Sequence, residues 1–305
     1  MSVVLSVRDV HKTFGSVRAV DGVSFEVRSG TITGLLGRNG AGKTTTIRMI
    51  TGIFFPDSGS IEWLGGGERD PLDRIGYLPE ERGGLYRQMK IVELLAFLAE
   101  IKGQRGPEVM RRINGWLKRF ELWEKRDAKV EELSKGNQQK VQLIGTLLHE
   151  PDLIILDEPQ SGLDPVNMVL VRELLQELKA EGRTILLSTH MMAEAERMAD
   201  DIVLIHQGQV VLSGTLDEIR NAAGKNALHI GFDGDGEFLS QLPQVREATI
   251  ANNVAELTLA DGADPQLILQ AAMGRLRIRK FEVAAPSLEQ IFIDKVGHES
   301  LEAVR

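Results

Sequence analysis

The amino-acid sequence predicts an α/β protein: a mostly parallel sheet with an antiparallel β element near the start, an all-helical insert, and a small α+β domain at the end. Three observations predict it. Apolar strands and amphipathic helices alternate from Leu153 to His206, and such alternation returns each strand parallel to the last. Residues from about 88 to 149 turn rich in Leu, Glu, Lys and Arg at helical spacing. From residue 225 onward the order reads β-α-β-β-α-β, which fits a ferredoxin-like domain. The 305 residues are enough for two domains at roughly 150 residues each. We expect them at 1–220 and 225–305, with a break at Asn221–Gly224.

The first elements are short β-branched runs separated by Gly and Asp turns: Val3–Val7, Val17–Val20, Ser24–Val27 and Thr31–Leu36. A Gly-rich loop leads into a helix over Lys43–Thr51. The insert holds helices over Ile91–Lys102, Pro107–Phe120 and Gly136–His149. Strand Leu153–Asp157 is followed by helix Pro165–Ala180, strand Thr184–Ser188, helix Met191–Ala199 and strand Ile202–His206. In the second domain, strands are expected at Ala227–Phe232, Glu247–Ile250, Val254–Leu259 and Arg277–Val283. Helices are expected at Glu237–Leu242, Pro265–Met273 and Ser287–Val296.

Composition narrows the function. Lys and Arg number 36 against 44 Asp and Glu, a net charge of −8. Such a chain is a poor polyanion binder, so nucleic acid is not an expected partner. There is no cysteine, which removes disulfides, thiolate metal sites and a Cys nucleophile. No apolar run approaches the ~20 residues of a membrane span, and the first residues do not read as a signal peptide. Any membrane association would run through another protein.

Gly37 to Thr44 reads GRNGAGKT, which matches G-x-x-x-x-G-K-[ST] between a strand and a helix. Phosphate oxygens need several N–H donors at once, and a Gly-rich backbone can curl close enough to offer them. Gly37, Asn39, Gly40, Gly42 and Thr45 belong to this cradle. Lys43 would bridge the terminal phosphates, and the Thr44 hydroxyl would go to Mg²⁺. Leu153 to Pro159 reads LIILDEP. Its apolar part suits a strand buried on both faces, expected beside the phosphate loop. Asp157 would hold Mg²⁺. Glu158, turned elsewhere by strand alternation, could take a proton from an attacking water.

Three further segments follow: LSKGNQQK from Leu133, SGLD from Ser161, and STH ending at His190. Together with the loop and the acidic strand, their order resembles the ATP-binding subunits of ATP-binding cassette (ABC) transporters. Residues 1–220 cover a whole cassette. The resemblance implies that two cassettes pair head to tail over two ATP molecules. It places Ser134 and Gly136 on the γ-phosphate held by the partner's Lys43, counts Asp164 of SGLD among the nucleotide-binding residues, and sets His190 beside the attacking water. It also places Phe14, in KTFG, against adenine.

Two departures stand out. Lys135 and Asn137 replace a Gly and a Gln of the usual LSGGQ. In GYLPEERG, Glu80 falls where the family has a glutamine that ligates Mg²⁺. A carboxylate can ligate a hard cation but cannot donate a hydrogen bond, and it repels phosphate when the cation is absent. These variants and the tail PSLEQIFID are similar to a prokaryotic export-type branch that includes sodium-export ATP-binding proteins. The resemblance implies an ATPase peripheral to the cytoplasmic face of the membrane, bound to a transmembrane permease. The rival is a soluble ABC-type ATPase acting on ribosomes or DNA. Its translation-type members usually carry two cassettes, and only one is visible here. A GTPase would need a guanine-reading N-K-x-D segment, which is absent.

Overall fold

The computed structural model describes residues 2–63, 71–80, 86–223, 227–260, 262–284 and 286–302. The chain divides into two compact units, Met1–Gly214 and Thr215–Arg305. The division falls a few residues before the expected break, because residues 216–223 form a helix of the second unit and not a linker.

The first unit opens with β1 (Val3–Phe14) and β2 (Val17–Arg28), a long antiparallel pair. The two expected fragments at 17–20 and 24–27 are one strand. The Asp21–Gly22 pair that looked like a turn is absorbed by register irregularities against β1. β3 (Ile32–Leu36), fully buried, leads into α1 (Lys43–Ile50). β4 (Ser58–Trp63) pairs with β1 and completes a three-stranded sheet in the order β2-β1-β4. β5 (Ile75–Leu78) precedes the helical insert of α2 (Ile91–Ile101), α3 (Pro107–Arg119) and α4 (Lys135–Leu147). Val109, Ile113 and Leu117 recur every fourth residue on α3 and are buried, as an amphipathic helix requires.

β6 (Leu153–Asp157), α5 (Pro165–Ala180), β7 (Thr184–Thr189), α6 (Met192–Met198), β8 (Asp201–His206) and β9 (Gln209–Thr215) follow. The main sheet runs β5-β6-β7-β3-β8-β9, and the pairs from β5 through β8 are parallel. The acidic strand β6 is separated from β3 by β7, and its carboxyl end still reaches the loop after β3. Register aligns Leu36 with Thr189 and Asp157 with Ser188, so three strand ends finish at one level. That carboxyl-end edge is where open α/β sheets bind ligands. Leu5, Val20, Phe25, Leu35, Ile47, Ile155, Leu186 and Val203 share one core between the two sheets. Each such side chain contributes roughly 1.5–3 kcal/mol when fully buried.

In the second unit α7 (Leu216–Ala223) comes before β10 (Ala227–Asp233), β11 (Val245–Ala251), β12 (Val254–Leu259), α8 (Pro265–Met273), β13 (Arg277–Ala284) and α9 (Leu288–Glu302). The sheet order is β11-β12-β10-β13, antiparallel throughout. This is the strand order of a ferredoxin-like domain. The helix expected at 237–242 is a short 3-10 turn, Glu237–Gln241. Leu228, Ile230, Phe232, Leu257 and Ile268 belong to a core of its own. Among the described residues no helix is long and apolar enough to cross a membrane.

Candidate nucleotide site

The loop after β3 is built by glycine where nothing else fits. Gly37 and Gly42 have φ of 153° and 109°. A Cβ at Gly37 would lie 2.3 Å from the Ile205 carbonyl oxygen, and one at Gly42 would lie 2.5 Å from that of Ala19. Gly40, at φ 81°, has open space where a side chain would be. Gly42 also caps α1 without a side-chain acceptor, which leaves first-turn amides free for an anion. Asn39, Gly40, Gly42, Lys43, Thr44 and Thr45 line a cleft of about 240 Å³ with Ala19, Glu80 and Glu158.

Lys43 is buried, and its ammonium folds back over the loop. It donates to the carbonyls of Gly37 (2.8 Å) and Arg38 (3.3 Å) and lies 3.5 Å from Glu158 Oε1. Glu158 follows the last residue of β6 and takes a left-handed φ of 50°. Its direction therefore comes from that turn, not from strand alternation as expected. The turn is held by the Glu158 amide donating to the Ser188 carbonyl at 3.1 Å. Glu158 Oε2 pairs with His190 Nδ1 at 2.9 Å, while Oε1 has no hydrogen-bond partner. Lys43, Glu158 and His190 thus form a continuous polar chain across the ends of three elements.

Asp157 is 1 % exposed. The Ser188 hydroxyl donates to its Oδ1, but its Oδ2 has no hydrogen-bond partner. Burial pushes its carboxyl above the ordinary carboxylate value, and the hydroxyls of Ser188 and Thr44 pull against that shift. Thr44, Asp157 and Glu80 offer oxygen ligands only, which suits a hard cation, and the orphaned Oδ2 gives one a reason to bind. Among the described residues no three His, Cys, Asp or Glu side chains form a metal cage. Mg²⁺ sites that borrow substrate phosphates and water have this sparse character. The residues present fit such an ion.

Ser134, Gly136, Asp164 and Phe14 are not among the residues that line the cleft. Ser134 caps α4, its Oγ accepting from the Asn137 amide at 3.3 Å. Gly136 is within reach of Leu163: a Cβ there would sit 3.7 Å from it. Asp164 caps α5, accepting from the Asn167 amide at 3.0 Å, and that bond holds its carboxyl below the ordinary value. Phe14 is 42 % exposed and meets Phe54 edge-on, with ring centroids 5.4 Å apart. Glu80 is exposed; Glu81 to Gly83 of the same motif lie outside the described residues.

Sequence reasoning missed three supporting residues. Ser188 holds Asp157, Phe54 backs Phe14, and buried Gln139 of α4 donates to the Pro159 carbonyl next to Glu158. Only Ser188 left a signal, as the serine opening the STH segment.

Comparison with known proteins agrees with this geometry. A family model for "ABC transporter" matches residues 20–161, and one for "ATP-binding protein DrrA1-3-like, C-terminal domain" matches residues 214–296. The chain is 43% identical over 295 residues to the "Uncharacterized ABC transporter ATP-binding protein YhaQ" of Bacillus subtilis, covering 96% of this chain and 99% of that protein. It is 33% identical to the "Nod factor export ATP-binding protein I" of Ralstonia nicotianae, covering 97% and 94%. A solved structure described as "Structure of ATP binding subunit of ABC transporter" superposes with a TM-score of 0.67 at 37% identity, covering 72% of this chain and 93% of that one. With its glycine cradle, buried lysine and acidic strand end in place, the chain belongs to the family of ABC transporter ATP-binding proteins, whose cassettes bind and hydrolyse ATP.

Proposed function

We propose that this chain powers an export-type ABC transporter, as one of two paired cassettes seated on a transmembrane permease at the cytoplasmic face of a membrane. The observation that carries the catalytic part is the chain Lys43–Glu158–His190 laid along an open glycine loop. The export assignment is supported by the Nod factor export relative and by the tail Pro286–Asp294.

The reaction is ATP and water to ADP and phosphate. The amides of Gly40, Gly42 and the first turn of α1 would receive the phosphate oxygens. Lys43 would leave its loop carbonyls for the terminal phosphates. Thr44, Asp157 and Glu80 would hold Mg²⁺, which supplies positive charge against the triphosphate. Glu158 Oε1, already free of hydrogen-bond donors, would accept the proton of the attacking water. His190 would orient Glu158 and the water. Phe14 would stack on adenine. Ser134, Gly136 and Asp164 face no phosphate of their own cleft; in this reading they close over the nucleotide of the second cassette. ATP binding would favour the closed pair and hydrolysis would release it.

Glu158→Gln tests the reading. It should bind ATP, hydrolyse it about 10²–10⁴-fold more slowly, and accumulate as an ATP-bound dimer on size exclusion. Near-normal turnover overturns the assignment of Glu158. Co-purification of the tagged chain with a membrane protein tests the permease.

A further inference from the structure

A cavity of about 330 Å³ lies at the start of β6 and shares no lining residue with the nucleotide cleft at its end. Arg112, Gly115, Trp116 and Arg119 line it from α3. Steps of three and four residues put them on one helix face. The stripe that α3 buries is a different one, Val109, Ile113 and Leu117. Buried Leu147, Ile154 and Leu178 give the cavity an apolar wall. The lining also carries Arg183, Glu150 and Glu181, so three arginines meet two glutamates on a chain of net charge −8. Arg112 is engaged by Glu150 at 2.9 Å and donates to the Leu148 carbonyl at 2.9 Å. Arg119 and Arg183 are less engaged. Arg119 gives Nη2 to Glu177, and its guanidinium carbon lies 5.4 Å from the Trp116 ring centre. Arg183 gives Nη1 to the carbonyls of Glu150 and Pro151 at 3.0 and 3.2 Å. Among the described residues no hydrogen bond uses the other nitrogens of either, and none engages the Glu181 carboxylate.

We infer that this cavity is a second binding site, apart from the nucleotide cleft, for a small carboxylate with an aromatic body. The class follows from the lining. A volume of about 330 Å³ suits a small ligand. The apolar wall and the Trp116 ring take the body by burial and ring contact. The unused N–H groups of Arg119 and Arg183 match a carboxylate, which a guanidinium binds through two parallel hydrogen bonds. Glu181 limits the charge: it repels a second anionic group and attracts an ammonium. Aromatic amino acids and simple aromatic acids share this chemistry. Arg119 and Trp116 belong to the helical insert, whereas Ile154 belongs to the main sheet, so an occupant touches both.

The test is a ligand-observed NMR titration of the full chain with 3-phenylpropionate, L-phenylalanine and phenethylamine, each up to about 10 mM. At least one of the two carboxylates should bind, and phenethylamine should not. Binding of phenylalanine alone points to amino acids as the source, and binding of phenylpropionate alone to simple acids; either outcome supports the site. Arg119→Gln should weaken binding about tenfold. Gly115→Leu should abolish it by filling the cavity. A Cβ at Gly115 meets nothing within 4 Å, and leucine is the better helix former, so the fold tolerates the change. Saturating Mg-ATP should not compete with either carboxylate. Failure of both carboxylates to bind overturns the inference, as does equal binding of phenethylamine. Binding that survives Gly115→Leu, or competition by Mg-ATP, places the ligand elsewhere and overturns it too. None of these results touches the reading of the nucleotide cleft.

Discussion

Lys43 and Glu158 are both nearly buried, yet their surroundings differ. Lys43 also has two loop carbonyls, whereas Glu158 has only His190 besides the lysine. Removing the lysine therefore leaves a buried carboxylate poorly compensated, and removing the carboxylate leaves a lysine still bonded. Lys43→Met should destabilise the nucleotide-free protein more than Glu158→Gln does. The double variant should be less destabilised than the sum by about 1–3 kcal/mol. Urea unfolding followed by tryptophan fluorescence measures this in the right place, since Trp63, Trp116 and Trp123 all lie in the first unit. The sequence named Lys43, Asp157, Glu158 and His190 because their motif spacing is local. It could not name Gln139 or Phe54, whose partners lie in other elements.

At the scale of elements, the phosphate loop shows two kinds of glycine. Gly42 combines a left-handed backbone with a carbonyl 2.5 Å from any added Cβ, and only glycine relieves both. Gly42→Ala should cost more than about 2 kcal/mol, through strain and displacement of the loop. Gly40→Ala meets empty space and should cost only about 1 kcal/mol, the conformational penalty alone. Chemical denaturation separates the two. A second element-level device is His149, just beyond α4. Its Nε2 donates to the Ile75 carbonyl at 2.9 Å, at the start of β5. Burial lowers its pKa below 6.5. The folded state thus resists protonation that the unfolded chain accepts, so this contribution is complete above pH 6.5 and fades as pH falls through the lowered value. His149→Gln should flatten the decline of stability on acidification below pH 6.5, read as midpoints across a pH series. Asp157, raised by burial, acts with the opposite sign: it costs stability as pH rises above 3.8.

Over the whole molecule, the two units carry separate cores with no residue in common. Leu257 is 1 % exposed inside the second. Leu257→Ala should remove about 2–5 kcal/mol from that unit. Hydrogen exchange should show lost protection in β10 and β12, while ATP affinity at the first unit stays at the wild-type value. A fall in ATP affinity would mean that the second core supports the cleft.

Local chemistry is what the sequence by itself determined: the phosphate loop, the acidic strand end, the proline-initiated helices over residues 107–119 and 165–180, and the order of the second unit. Each is written in neighbouring residues, through helical spacing, Gly and Pro placement and motif order. β4, β5 and β9 were missed: their short runs SGSIEW, IGYL and QVVLSGT lack clean alternation and owe their strand state to partners in the sheet. Only the tertiary structure decided that β7 separates β3 from β6, that Glu158 turns left-handed onto Lys43, and that Glu80 enters the same cleft. Strand order and side-chain convergence are settled by hydrogen bonding and burial between distant segments, which no local spacing encodes.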